Sequence, residues 1–151
     1  MLHKFLSAAL KRHLDETMPF VEQLTDEDLE KVPVKGGRPL GEIVLHMLRS
    51  VEYYLVGLTK NEWTPLRYTL EEYSTSESVK KLTRDVITRA LEYASQLSNA
   101  DLAISTSSFN RPATVAELFL ELIEHSIHHR GQITVYYRLL GIDIPPIPYI
   151  I

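Results

Sequence analysis

The sequence predicts an all-α protein, a four-helix bundle with one short extra helix and connecting loops. Four long segments carry apolar residues at the helical spacing of three and four. Two of these segments open with a Ser/Thr-x-x-Glu capping pattern, and no segment shows the alternation expected of a strand in a sheet. Because 151 residues is the length of one ordinary domain, we expect residues 1–151 to form a single bundle domain.

The first half of the chain supplies two long helices and a short one. The first long helix is expected over Leu2–Leu24, with an apolar stripe made by Leu6, Leu10, Leu14, Met18 and Val21. Thr25 then caps a short helix that Pro33 ends. The stretch "VKGGRP" is rich in turn-forming residues. The second long helix is expected over Pro39–Thr59, because proline is favoured in a first helical turn.

The second half supplies the other two long helices. The segment "KNEWTPLRYTLEEYS" is predicted to be a loop over one end of the bundle. The third helix is expected over Ser74–Ser98 and opens with a capping box of Ser74 and Glu77. The polar stretch "DLAISTSSFNRPA" is expected to be extended. The fourth helix is expected over Thr114–Leu140, and Gly141 stands where a glycine commonly ends a helix.

Composition argues against several classes of function. The net charge of −4 and the lack of a basic cluster argue against a nucleic-acid partner. The absence of cysteine excludes disulfides, thiolate nucleophiles and cysteine-based zinc sites. No stretch reads as a membrane span or a secretory signal, so we expect a cytoplasmic protein with no membrane partner. No Ser-His-Asp arrangement, phosphate-binding glycine loop or dinucleotide motif is recognisable.

Three of the six histidines lie in "EHSIHHRGQ", residues 124–132. On a helical wheel His125 and His129 are about 40° apart within the apolar stripe, whereas His128 lies about 60° to the other side. Histidines four residues apart on a helix point at one spot. The spacing of His125 and His129 supports two interpretations of the pair equally. The two rings bind a divalent metal, or their nitrogens form hydrogen bonds with backbone, water or carboxylates.

Two further histidines are candidates for the same site. His46 lies at the flank of the apolar face of the second helix, from which it can reach a facing helix. A lone histidine in that position is more often structural, but beside His125 and His129 it becomes a candidate third ligand. His13 lies on the apolar stripe of the first helix. It could approach as a fourth ligand, although a histidine at the edge of the core is the favoured interpretation.

Two blocks of the sequence resemble a known family. They are "RPLGEIVLHMLRSVEYYL" at residues 38–55 and "ATVAELFLELIEHSIHHRGQITVYYRLLGIDIPP" at residues 113–146. Both resemble the DinB-like superfamily of metal-binding four-helix bundles. The resemblance implies that His46, His125 and His129 bind a divalent metal with positions left for water or substrate, and it excludes His128. Arg38 and Pro39 replace an aromatic residue or Ser/Thr often found there, which affects no ligand.

The resemblance also implies a range of activities. Some relatives transfer low-molecular-weight thiols, and others hydrolyse small molecules. The leading hypothesis is therefore a metal-dependent thiol-S-transferase or hydrolase acting on a small molecule. Zinc or nickel is favoured as the metal, and iron or copper is also compatible with three imidazoles. The competing hypothesis is a non-catalytic metal-binding bundle, and in either case we expect a homodimer, with Leu120 and Ile127 at the interface.

Several neighbouring residues are candidates for supporting roles. Glu42 and Glu121 each lie one turn before a candidate ligand and could orient an imidazole N–H, although solvated carboxylates are the plainer interpretation. Gln132 lies on the histidine seam and could hydrogen-bond near the metal. Gly131 suggests a close approach of helices, because glycine inside a helix is otherwise unfavourable. Arg130 is expected to be a surface residue or to form a salt bridge between helices. Tyr53 and Tyr136 flank the candidate ligands and could line a pocket, although an aromatic residue at helical spacing is usually part of the core. The loops around Trp63 and Phe109 are expected to shape that pocket.

Overall fold

The computed structural model describes residues 1–106 and 111–148. In chain order the elements are α1 (Leu2–Glu22), α2 (Asp26–Leu29), α3 (Leu40–Lys60), α4 (Ser76–Gln96), α5 (Asn99–Leu102), β1 (Ser105–Thr106), β2 (Ala113–Thr114) and α6 (Val115–Leu140). The four long helices α1, α3, α4 and α6 form the bundle, which confirms the predicted all-α class. Each boundary of these four long helices lies within two residues of its predicted position.

The helix starts follow local capping chemistry. Thr25 and Asp28 form the capping box of α2, as the predicted short helix requires. At α4 the cap is Thr75 with Ser78, so the predicted box of Ser74 with Glu77 was wrong by one residue. The Ser78 hydroxyl fills the role expected of the glutamate, since it accepts from the Thr75 backbone N–H at 3.2 Å.

The connection between α4 and α6 contains more structure than predicted. Ser98 and Asp101 form a capping box that opens α5. Strands β1 and β2 then pair antiparallel, with Ser105 opposite Thr114. The expectation of a wholly extended stretch without paired strands was therefore wrong, because two-residue strands are too short to produce a detectable alternation. Residues 107–110 of this stretch, including Phe109, lie outside the described residues.

The core lies where the four long helices meet. Helix α3 packs against α6 and α4, and α1 packs against the same two helices. The largest fully buried side chains include Tyr137, Phe20, Phe119, Leu10, Leu14, Leu45, Met47, Leu48 and Leu55. Within the described residues, none of the helices combines the length and apolarity that crossing a membrane requires.

The helix directions give the bundle an up-down-down-up arrangement. Helices α1 and α6 run parallel, because two hydrogen bonds join them at the same offset of 117 residues: Arg130 to His13 and Tyr137 to Phe20. Helix α4 runs antiparallel to α1, with contacts at both ends: His3 to Ala94 and Arg84 to Glu22. Helix α3 runs antiparallel to α6, because Arg38, before α3, contacts Tyr136 near the end of α6. It follows that α3 and α4 run parallel.

Residues 61–75, the crossover segment, connect these two parallel helices by running back along α3. Trp63 packs on Gly57, near the end of α3. Further along, the Tyr68 hydroxyl donates to Glu52 at 2.5 Å, and the Leu70 N–H donates to Glu42 at 2.7 Å. A 21-residue helix is about 30 Å long, and an extended segment of this length spans about 50 Å. The predicted loop over one end was therefore wrong, because a parallel connection has to return the full length of the helix.

Candidate metal centre

His125 and His129 meet on the inner face of α6. Their Nε2 atoms are 3.1 Å apart and their ring centroids 4.4 Å apart. This follows from the i,i+4 spacing, which stacks the two side chains on one face of the helix. His129 is 9% exposed and His125 is partly exposed. Both rings therefore lie where the apolar seam opens towards solvent.

Helix α3 brings His46 to the same point. Its ring centroid lies 5.3 Å from that of His125 and 4.6 Å from that of His129. Each of the three residues offers one nitrogen, and these nitrogens lie within 4.8 Å of one another. Buried neighbours of His46 on α3, such as Leu45 and Met47, fix the helix against the core. The structure thus brings together the three histidines that the sequence singled out.

The histidine cluster faces a cleft of about 660 Å³. The cleft lies between α3, the C-terminal half of α6 and the "VKGGRP" link. Its lining residues are Val34, Gly36, Gly37, Arg38, Ile43, His46, His125, His128, His129, Gln132, Val135 and Tyr136. Tyr136 lines it as predicted, whereas Tyr53 lines a smaller neighbouring cleft. Trp63 lines a separate cleft at the other end of α3, so its predicted role in shaping the histidine pocket was wrong.

The environment keeps the three imidazoles neutral. Burial lowers the pKa of His46 to about 4, with the charges of neighbouring histidines and arginines adding to the effect. Burial is also the main cause of the lowered pKa of His125 and of His129. Neutral imidazole carries a lone pair that a metal can accept. The cluster therefore has the protonation state that metal binding requires at neutral pH.

Gln132 holds the His129 ring in one tautomer. The Gln132 Oε1 atom lies 2.8 Å from His129 Nδ1, and because an amide oxygen only accepts, His129 Nδ1 carries the proton. The Nε2 lone pair of His129 is then directed at His125. Ligating histidines characteristically donate their outer N–H in this way. The Gln132 amide nitrogen lies 3.2 Å from His128 Nε2, outside the cluster.

Arg49 is a neighbour of the cluster that the sequence reasoning missed. Its Nη2 atom lies 3.0 Å from His46 Nδ1, and its Nη1 atom donates to the Tyr68 carbonyl at 3.0 Å. A guanidinium group only donates, so His46 Nδ1 accepts and the ring proton is on Nε2. The spacing of three residues on one helix was a signal that could have identified this contact.

The two glutamates proposed as orienting groups have other partners. Glu42 accepts from the Leu70 N–H in the crossover segment. Glu121 forms an ion pair with Arg111. Glu42 thus holds the backbone of the crossover segment, and neither contact supports a direct role for a carboxylate in orienting an imidazole.

The donor set fits a divalent metal. Three neutral nitrogens converge, their remaining side opens to the cleft, and His129 already has its outer N–H satisfied by Gln132. A metal ion would replace the proton shared between the His125 and His129 Nε2 atoms. At His46, Arg49 would have to withdraw if Nε2 became the ligand atom, because Nδ1 would then carry the proton.

Three other sequence-based expectations have clear outcomes. His13 is buried at 2% exposure and lies outside the cluster, so it is a core residue rather than a fourth ligand. Arg130 is 3% exposed and pairs with Glu16 across the α1–α6 interface at 3.1 Å, which confirms the inter-helix ion pair. Gly131 faces open space, so the expected close helix approach within the bundle was wrong.

Comparisons with known proteins agree with this architecture. The family model described as "DinB family" matches residues 2–150. YjoA of Bacillus subtilis is 26% identical over 132 residues, which covers 85% of this chain and 84% of YjoA. Its crystal structure, described as that of a DinB-like protein, superposes with a TM-score of 0.80 at 22% identity, over 94% of this chain and 95% of that one.

Two further solved structures share the fold. A DinB-like protein from Bacillus cereus ATCC 10987 has a TM-score of 0.74 at 25% identity, over 89% of this chain and 90% of that one. YfiT from Bacillus subtilis, described as "a probable metal-dependent hydrolase with an unusual four-helix bundle topology", has a TM-score of 0.66. Its identity is 18%, over 93% of this chain and 89% of YfiT, so that likeness shows the fold alone.

Proposed function

Because this chain belongs to the DinB family, we propose that it is a divalent-metal-dependent enzyme acting on a small molecule, with His46, His125 and His129 as metal ligands. One observation carries the proposal: three neutral imidazoles from two facing helices converge at an open cleft. Three protein ligands with an open side are typical of catalytic zinc sites, whereas structural sites are closed. The description of YfiT as "a probable metal-dependent hydrolase" supports the same class of activity.

The proposed reaction is hydrolysis or thiol-S-transfer. When bound, the metal supplies a Lewis acid that polarises a carbonyl, or a positive charge that favours the thiolate form of a substrate thiol. Because the chain has no cysteine, any thiol comes from a low-molecular-weight substrate. Gln132 fixes the His129 ring so that its Nε2 lone pair faces the metal position. Zinc or nickel is the proposed metal, ahead of iron or copper.

The alternative is a metal-binding bundle without catalytic activity. It requires the same ligands, with Glu42 holding the crossover segment and Glu121 paired with Arg111. In both versions we propose a homodimer in the cytoplasm. Leu120 and Ile127, exposed at 46% and 44% on the outer face of α6, are the proposed dimer contacts.

Metal analysis of purified protein tests the ligand assignment. The His129→Ala variant is expected to lose bound metal, with at least about a tenfold loss of zinc affinity, since one of three ligands is gone. His128→Ala is the matched control, because His128 immediately precedes His129 on the same helix but lies outside the cluster. Equal zinc affinities for His129→Ala and His128→Ala would overturn the assignment.

Turnover assays then separate the two versions. The metal-loaded protein is tested for hydrolysis of a panel of small amides and esters, and for transfer of glutathione or cysteine to an electrophilic arene. Turnover that disappears with His129→Ala and persists with His128→Ala supports the enzyme. Stoichiometric metal without turnover of any compound supports the non-catalytic bundle.

A further inference from the structure

Arg38 places a positive charge at the rim of the histidine cleft. Its side chain lines the cleft together with the three clustered histidines. No Asp or Glu is among the lining residues in the described part of the chain. Burial is the main cause of the lowered pKa of His46 and His129, and the Arg38 charge contributes to both. The Arg38 guanidinium therefore lies within electrostatic reach of the cluster.

The backbone around Arg38 is fixed on both sides. The Tyr136 hydroxyl donates to the Arg38 carbonyl at 3.0 Å, and the Leu40 N–H donates to Lys31 at 3.0 Å. The following residue, Pro39, also restricts Arg38 to an extended conformation. The side chain is thus presented from a rigid base rather than from a free loop.

The turn before Arg38 depends on two glycines. Gly36 has a φ of +74°, a left-handed conformation that favours glycine. A Cβ on Gly37 would lie 2.4 Å from the Tyr136 hydroxyl oxygen, so a larger residue would displace the link from Tyr136. The stretch "VKGGRP" therefore has a sequence suited to docking Arg38 beside the cleft.

The guanidinium of Arg38 is available for a ligand. Within the described residues, the Arg38 side chain forms no hydrogen bond and no ion pair, and only its backbone carbonyl accepts, from Tyr136. By contrast Arg49, Arg89 and Arg130 all bind protein groups. A free guanidinium at the rim of a cleft without carboxylates is suited to bidentate binding of an anion.

From this geometry we infer that the substrate carries an anionic group, a carboxylate or a phosphate, which Arg38 binds while the reacting group lies at the three histidines. The inference rests on the proposed function, because it names the substrate class for that site. A divalent metal held by the three histidines would add its positive charge to that of Arg38 in a cleft whose described lining has no carboxylate. Anionic small molecules are therefore selected over neutral or cationic ones, and the anion fixes the orientation of the substrate.

Anion titrations monitored by amide NMR chemical shifts test the inference. The probes are inorganic phosphate and succinate, added separately to metal-free and zinc-loaded protein. Saturable shifts at Gly36, Gly37 and His129 are expected, and the tighter probe identifies the anion class. Arg38→Gln is expected to weaken binding of that probe by about tenfold, and Arg38→Lys by less, since lysine keeps the charge but loses the planar fork.

Lys35→Gln is the matched control. Lys35 is an exposed cation in the same link that does not line the cleft, so its removal is expected to change affinity less than about twofold. Equal weakening by Lys35→Gln and Arg38→Gln, or no saturable binding of either probe, would overturn the inference. Arg38-dependent binding by a protein that holds no metal would support the anion site while the proposed function failed.

Discussion

At the scale of single residues, His13 is a buried imidazole without a hydrogen-bond partner. Both of its ring nitrogens are buried and unpaired within the described residues. The neighbouring Arg130 guanidinium donates to the His13 carbonyl at 3.0 Å. Burial, reinforced by the Arg130 charge, lowers the pKa of His13 to about 3. The ring is therefore neutral in the folded protein and adds polar atoms to the core without hydrogen bonds.

The variant His13→Leu is expected to raise the free energy of unfolding by about 1 kcal/mol at pH 7.5, because it removes unsatisfied polar atoms. The unfolded chain binds a proton at His13 below about pH 6.5, whereas the folded protein does so only near pH 3. Acidification through this interval therefore destabilises the wild type, by up to about 1.4 kcal/mol per pH unit. Urea unfolding at pH 7.5 and 5.0 measures the difference.

The exposed His128→Leu variant is the control for that experiment. The stability of His13→Leu is expected to fall less between the two pH values than that of the wild type or of His128→Leu. A lower stability of His13→Leu at pH 7.5 would show that the imidazole makes a favourable contact in the core, and would contradict the prediction.

Arg49 donates to His46 Nδ1 and so opposes metal binding through the other ring nitrogen. Metal ligation through His46 Nε2 puts the ring proton on Nδ1, which then needs an acceptor, and a guanidinium cannot accept. The Arg49→Gln variant offers an amide oxygen at this position. Its zinc affinity is expected to exceed that of the wild type by about three- to tenfold in competition with a chelating dye. Arg49→Lys is the donor-only control, and weaker zinc binding by Arg49→Gln than by Arg49→Lys would contradict the prediction.

The residues of the site differ in how far the sequence could identify them. The helical wheel placed His125 and His129 correctly and His128 outside, because spacing on one helix fixes relative direction. It could not assign partners across elements. Glu42 is turned to the crossover segment and Glu121 to Arg111. Arg38 lines the histidine cleft because the link before α3 folds back onto Tyr136.

At the scale of elements, a partly buried polar network attaches the crossover segment to α3 and α4. Glu52, exposed at 7%, receives two hydrogen bonds from Arg89, at 2.6 and 2.9 Å, and one from the Tyr68 hydroxyl. Burial and the Glu52 carboxylate raise the pKa of Tyr68, so its hydroxyl remains a donor. The network joins two parallel helices to the segment that connects them.

The variant Arg89→Met is expected to lower the free energy of unfolding by about 2 kcal/mol, because it leaves the Glu52 carboxylate buried without its cation. This value allows for the partial exposure of Arg89, whose side chain is 36% exposed. Lys81→Met is the matched control on the same helix. It removes an ion pair with Asp85 in which the lysine is 73% exposed, and it is expected to cost less than about 0.5 kcal/mol. Urea unfolding of both variants checks the difference, and equal losses would contradict it.

The elements also show where periodicity stops being informative. Apolar spacing predicted all four long helices, because it reports which face is buried. It carries no information on whether neighbouring helices run parallel, so the path of residues 61–75 was misplaced. The short helix α5 did have a local signal, the Ser98-x-x-Asp101 cap, which resembles the Ser/Thr-x-x-Glu boxes used for the long helices.

At the scale of the whole molecule, the outer face of α6 carries apolar residues that the bundle does not cover. Leu120, Ile127 and Leu139 are exposed at 46%, 44% and 56%. Leu120, Ile127 and Gly131 fall within about 40° of one another on a helical wheel. Nothing in the described structure lies within 4 Å of a Cβ placed on Gly131. This combination of apolar side chains and a glycine on one helix face allows a second copy to pack closely on it.

The wild type is therefore expected to be a dimer in solution, and Ile127→Glu is expected to be monomeric, because a symmetric interface places the new charge opposite its own copy. Light scattering coupled to size exclusion measures the mass. Val32→Glu is the matched control, since Val32 is exposed at 45% but lies between α2 and α3 rather than on α6. A monomeric wild type, or equal dissociation by Val32→Glu, would contradict the assignment. If Ile127→Glu is a monomer that still binds zinc like the wild type, the histidine centre is complete within one chain.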